Sequence, residues 1–165
     1  MSITVSNSSP LINLARIDRF DLLRRFYGAI VIPPAVYEEV VVRGSERDGA
    51  KEVRAATWIQ QVETQAALAV DALGAELDHG EAAAILLSRE LSATTLLIDE
   101  IRGRRIAARL GIHVTGTIGI LTRAKRESLI SSVKDELDKL RQRGTWIDER
   151  LYAQVLTLLG EWRVE

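Results

Sequence analysis

The sequence predicts a single α/β domain over residues 1–165 with a central, mainly parallel sheet. Short β-branched, apolar runs alternate with helical patterns along the whole chain, the order expected of βα units. One run, Thr94-Thr95-Leu96-Leu97-Ile98, is apolar enough to be buried on both faces, as central parallel strands are. The boundaries fall on residues that stop or start elements, such as Gly28, Pro33-Pro34 and Gly111.

In order, Ile3-Thr4-Val5-Ser6 reads as the first strand, and Pro10 suits the N1 position of a helix behind a serine cap. A second helix covers about Arg19 to Tyr27 and ends at Gly28. Ala29 to Ile32 is the next strand, and Pro33-Pro34 opens a helix through about Val42. Arg43 to Asp48 is a polar loop; residues 49–59 and 66–76 look helical, with a short extended piece near Ile59–Val62. Asp78-His79-Gly80-Glu81 starts a helix that is apolar nearly all round and is therefore expected to be central. After the Thr94–Ile98 strand come a helix of about Glu100 to Leu110, a strand Ile112–Thr115, and a helix from the Gly116–Gly119 turn to about Arg126. Helices near 132–143 and 148–160 complete the chain.

Composition narrows the function. An apolar fraction of 47% and a charged fraction of 27% are ordinary for a globular chain. The absence of any run of 18 apolar residues or of a signal-peptide pattern leads us to expect a soluble, cytoplasmic protein with no membrane partner. With no cysteine, disulfides, thiolate metal sites and cysteine nucleophiles are excluded. The net charge of −1 does not suit a protein that coats nucleic acid, although residues 99–126 carry seven basic and two acidic side chains. No G-x-G-x-x-G or G-x-x-x-x-G-K-S/T run occurs, which removes support for a small-molecule or phosphate-transfer enzyme of the doubly wound type. His79 and His113 are isolated from each other, so a histidine-based site is not expected.

Ligands of open parallel sheets bind outside the carboxyl ends of the strands. Two groups of side chains fall there: Asn7-Ser8-Ser9 after the first strand and Asp99-Glu100 after the Thr94–Ile98 strand. Asn7 and Asp99 also suit helix caps, and Asp78-x-x-Glu81 suits a capping box. Glu38 and Glu39 flank the apolar arc of Val36, Tyr37, Val40 and Val41 on opposite sides, and periodicity does not choose between them.

Five segments together resemble the PIN-domain nucleases, in the branch that opens with a strand and D/N-T/S-S-P-L-I. They are Val5-Ser6-Asn7-Ser8-Ser9-Pro10-Leu11-Ile12, Pro33-Pro34-Ala35-Val36-Tyr37-Glu38-Glu39-Val40, Gly80-Glu81-Ala82-Ala83-Ala84-Ile85, Leu96-Leu97-Ile98-Asp99-Glu100-Ile101-Arg102 and Gly116-Thr117-Ile118-Gly119. They follow the family's order from residue 3 to about residue 126.

The resemblance implies a three-layer α/β/α sandwich with an acidic pocket for Mg²⁺ or Mn²⁺, a ribonuclease activity, and a place as the toxin of a toxin–antitoxin pair. A small antitoxin protein and a second copy of the chain are the implied partners. Carried over residue by residue, the pocket takes Asn7, Glu39, Glu81 and Asp99, with Glu39 preferred over Glu38 because it directly precedes an apolar residue. Ser8 and Ser9 would orient a water or phosphate oxygen, and Arg102, Arg105 and Arg109 would grip the RNA backbone. Where the family usually has aspartate, this chain has Asn7, an oxygen donor without charge. The alternative reading is a PIN-fold nucleic-acid-binding or regulatory protein that has lost its chemistry.

Overall fold

The structure, a computed structural model, describes residues 2–162. Close contacts divide the chain into two compact units, Met1–Thr117 and Ile118–Glu165.

The first unit is built on a five-stranded sheet in the order β3-β2-β1-β4-β5, every pair parallel. The strands are short: β1 Thr4–Ser6, β2 Ile30–Ile32, β3 Ile59–Gln61, β4 Thr95–Leu97 and β5 Val114–Thr115. Val5 and Leu96 are directly paired and fully buried, as the apolar pattern of both runs requires. Two further bonds, Asn7 N–H to the Leu97 carbonyl and Ile98 N–H to the Thr115 carbonyl, both 2.9 Å, carry the ladder to the last residues before the chain turns away. The Ile59–Val62 segment joins the sheet as its edge. There the exposed Gln60 and Gln61 pair with Val31 and Ile32.

Helices α1 (Ser8–Arg16), α2 (Asp21–Tyr27), α3 (Pro34–Tyr37), α4 (Ala50–Ala55), α5 (Ala67–Leu73), α6 (His79–Glu90) and α7 (Ile101–Arg109) flank the sheet. The expected centrality of α6 is realised, with every residue from Gly80 to Ser88 buried. Its alanines keep the helix slim where it meets β1 and β4, and Ile85 and Leu87 fill the remaining space in a core shared with Val5, Leu96 and Ile98. Each such fully buried aliphatic side chain contributes about 1.5–3 kcal/mol.

Several boundaries differ from the sequence reading: the helices read over 49–59 and 66–76 span only Ala50–Ala55 and Ala67–Leu73, and two further differences bear on the site. Helix α1 starts at Ser8 with Asn7 in the cap position, so Pro10 lies in the first turn and not at its first residue. The helix opened by Pro33-Pro34 changes character: after α3, residues Glu38–Val42 form a π turn, closed by an Arg43 N–H bond to the Glu38 carbonyl at 2.8 Å. The wider turn keeps Val36, Val40 and Val41 all buried. Gly49, at φ +92°, then returns the chain close to α1, where a Cβ would stand 3.4 Å from Ile12 Cα and from Val40 Cγ1.

The second unit holds the body of α8 (Thr117–Arg126), α9 (Val133–Gln142) and α10 (Glu149–Leu158). Ser132 and Asp148 cap α9 and α10 by accepting the N–H groups of Asp135 and Leu151. The Glu161 carboxylate accepts from Lys125 Nζ (2.6 Å), Ser132 Oγ (2.7 Å) and the N–H groups of Val133 and Lys134 (3.1 Å each). Burial by itself would raise this carboxyl, but those donors hold it down at about 2. Among the described residues, no helix is long and apolar enough to cross a membrane.

Candidate active site

Strand order reverses between β1 and β4, the two neighbours from which the chain winds outward in opposite directions. Such a switch point leaves a crevice beyond the carboxyl ends of its strands. Asn7 and the Asp99-Glu100 pair emerge there, as the sequence reading expects.

Asn7 occupies the cap position of α1, yet its side chain makes no capping bond. Its Nδ2 donates to Glu100 Oε2 at 3.2 Å. Because a carboxylate only accepts, the amide nitrogen must face Glu100, and the carbonyl oxygen faces elsewhere. That oxygen is buried and meets no hydrogen-bond partner, on a residue only 2% exposed. An uncompensated buried carbonyl costs on the order of 1–3 kcal/mol.

The neighbouring serines hold carboxylates. Ser8 Oγ donates to Glu39 Oε2 at 2.8 Å, and Ser9 Oγ donates to Glu100 Oε1. The structure distinguishes the two glutamates that periodicity left open: Glu39 is half-buried against Ser8, and Glu38 is exposed. Gly80 leaves the room this needs, since a Cβ there would lie 3.2 Å from Glu39 Oε2.

Glu81 begins α6 with its N–H bonded to Asp78 Oδ1 at 2.8 Å, the capping arrangement anticipated from Asp78-x-x-Glu81. Its side chain is nonetheless a site group, 7% exposed. Burial first, then the negative charge of Glu100, the charge and hydrogen bond of Asp78, and the charge of Glu39 push the carboxyl up to about 8. Across from it, α7 presents Gly103, where a Cβ would stand 3.5 Å from Glu81 Oε2 and 2.7 Å from Ile98 Cδ1.

Asp99 behaves differently from the other three residues carried over from the family. Its Oδ1 accepts the Thr117 N–H at 2.6 Å, and its Oδ2 accepts Thr117 Oγ1 at 2.7 Å and Asn13 Nδ2 at 3.0 Å. Glu100, which the sequence reading named at the strand end but left out of the pocket, is the carboxylate joined to Asn7 and Ser9. The sequence held one clue. Consecutive residues of an extended chain point to opposite sides, so only one of two adjacent acids faces a given pocket.

Of the expected RNA-gripping arginines on α7, Arg105 and Arg109 are exposed, and Arg102 is exposed with one bond to the Glu76 carbonyl at 3.2 Å. Arg104, not singled out from the sequence, turns inward and donates to the Ile98 carbonyl at 3.1 Å. A separate cavity of about 160 Å³ lies beyond β2 and β3, lined among others by Pro33, Thr64, Val70 and His79. It contains none of the acidic group and is smaller than a usual small-molecule site.

The donor set suits a hard divalent cation in kind. It is all oxygen, includes an orphaned carbonyl, and carries carboxylates that raise one another, Glu100, Asp78 and Glu39 acting on Glu81. Among the described residues, no three acidic or histidine side chains stand where one ion would touch all of them at once.

The comparisons with known proteins agree with the geometry. A family model described as a PIN domain matches residues 3–161, and none of the curated proteins matches the chain. PIN domains are generally nucleases and typically use divalent metal ions. A match over nearly the full length, on a parallel sheet with these acidic strand ends, means that the chain belongs to the PIN-domain family.

Proposed function

We propose that the chain is a metal-dependent endoribonuclease, a single cytoplasmic domain over residues 1–165. The reading is carried by Asn7 Oδ1, a buried carbonyl oxygen without a partner inside a group of repelling carboxylates. A cation is the ligand that would satisfy the carbonyl and relieve the repulsion together.

In this reading Asn7 Oδ1 together with carboxylates drawn from Glu39, Glu81 and Glu100 would hold Mg²⁺ or Mn²⁺, with no more than two of these acids meeting one ion in the arrangement described. When bound, the ion neutralises charge on the scissile phosphate and supplies a water of lowered pKa. Ser8 and Ser9 orient Glu39 and Glu100 through the hydrogen bonds they donate. Arg102, Arg105 and Arg109 attract and hold the RNA backbone. From the family resemblance we further propose a toxin role, restrained by a small antitoxin protein, and a homodimeric state.

The test is cleavage of a single-stranded RNA by the purified chain with Mg²⁺, with Mn²⁺ and with a chelator. Metal-dependent cleavage that E81Q abolishes supports the proposal. RNA binding without cleavage under either metal would instead favour a nucleic-acid-binding protein disarmed at Asn7, the reading that the uncharged donor supports.

A further inference from the structure

The two adjacent acids at the end of β4 do different work. We infer that Asp99 is a positioning residue that locks the end of β4 in place, so that Glu100 faces Asn7 and Ser9. The inference rests on the proposed metal reading for its consequence, but its geometry stands on hydrogen bonds alone.

Asp99 gathers three donors from two elements. Thr117 offers both its N–H (2.6 Å) and its hydroxyl (2.7 Å), and Asn13 reaches from the middle of α1 (3.0 Å). Charge-assisted bonds of this kind are the strong ones. The Gly116 backbone fits closely against the same carboxylate: a Cβ there would stand 2.6 Å from Asp99 Oδ1 and 2.8 Å from Arg104 Nη1. Arg104 in turn holds the preceding carbonyl, that of Ile98, at 3.1 Å. The exit of β4 is therefore fixed from α1, from the turn after β5 and from α7.

Glu100 follows in an extended conformation, φ −66° and ψ 130°, and its own side chain caps nothing on α7. With Asp99 tied down on one side, the alternation of an extended chain sends Glu100 to the other, onto Asn7 Nδ2 and Ser9 Oγ. Helix α1 is thus gripped twice, at its start by Glu100 and near its middle by Asp99.

The test compares D99N, T117V, T117S and E100Q in the full chain by two readouts. The first is the ¹H–¹⁵N signal pair of the Asn7 side-chain amide, assigned by its loss in N7D. The second is titration with Mn²⁺. E100Q keeps an accepting oxygen but no charge, so it should move the Asn7 amide signals out of the charge-assisted range and abolish Mn²⁺ uptake. D99N and T117V should move the Asn7 signals toward those of E100Q and weaken Mn²⁺ about 10-fold, while T117S, which keeps the hydroxyl, should match the wild type.

An Asn7 amide unchanged in both D99N and T117V would overturn the inference, even if both variants melt earlier. Abolished Mn²⁺ binding in D99N beside an unaffected T117V would overturn it as well, making Asp99 itself the ligand. If the wild type takes up no Mn²⁺, the functional reading falls, and the amide signals still decide the positioning role. T117V keeps every charge of the site, and provides that answer if D99N does not fold.

Discussion

Asn7 Nδ2 and Glu100 Oε2 meet at 3.2 Å across the gap between the ends of β1 and β4, joining residues 93 positions apart. The bond spends the amide's donor on a carboxylate and leaves its carbonyl oxygen buried and unsatisfied. The substitution that separates this pocket from the usual aspartate version is therefore part of a bonded pair, with consequences in both directions.

N7D tests them. Replacing the donor by a second carboxylate sets like charges against each other at Glu100 and adds to the repulsion on Glu81. Without metal the variant should lose about 1–3 kcal/mol of stability, and with millimolar Mn²⁺ it should gain more in melting temperature than the wild type does. Thermal melts with Mn²⁺ and with chelator measure both changes, and cleavage by N7D should at least equal that of the wild type.

E81Q should separate stability from activity. The folded Glu81 carboxyl keeps its proton up to about 8, against an ordinary 4.5, so between those values the folded state binds more protons than the unfolded one. The group's contribution to stability is greatest below about pH 4.5 and is lost as pH rises toward 8. In metal-free urea unfolding, E81Q should therefore exceed the wild type at pH 8, on the order of 3 kcal/mol at most, and match it at pH 4.5. Its RNA cleavage should be abolished.

Glu161 has the opposite sign. Its carboxyl is held at about 2, below the ordinary 4.5, so its stabilisation is complete above pH 4.5 and is lost as pH falls toward 2. E161Q should cost about 2 kcal/mol at pH 7, the range of a hydrogen-bonded charged group, and nothing at pH 2. The loss should be concentrated in α9 and α10, where amide hydrogen exchange would locate it.

Replacing Arg105 and Arg109 by alanine should weaken RNA binding and flatten its salt dependence. For single strands each lost phosphate contact lowers the slope of log K against log salt by about 0.7, so the pair accounts for about 1.4. Mn²⁺ affinity in the absence of RNA should stay at the wild-type value. An unchanged slope would make these exposed arginines ordinary surface.

The strand ends were legible because β and α patterns alternate and a parallel sheet must offer its carboxyl ends to ligands. Glu81 was visible at the head of the most apolar helix. Three features were not legible, each for a physical reason. Periodicity did not choose Glu39 over Glu38, although the family resemblance preferred it, because both lie in a π turn whose spacing is not the 3.6-residue period that argument assumes. The division of labour between Asp99 and Glu100 depends on Thr117 and Asn13, which are distant in sequence. The extended piece at Ile59–Gln61 was legible, but its pairing with β2 as the sheet edge was not, because the strand is half polar and the pairing is a tertiary fact.

The π turn also makes the chemistry of this pocket a matter of counting. Glu38 and Glu39 are chemically identical neighbours at the start of the π turn, and only Glu39 is half-buried and bonded to Ser8. Shortening Glu38–Val42 by one residue removes no acid from the sequence, but it would return to ordinary pitch the segment that carries the Ser8–Glu39 bond. Among the residues proposed for the pocket, Glu39 is the one carried on a π turn.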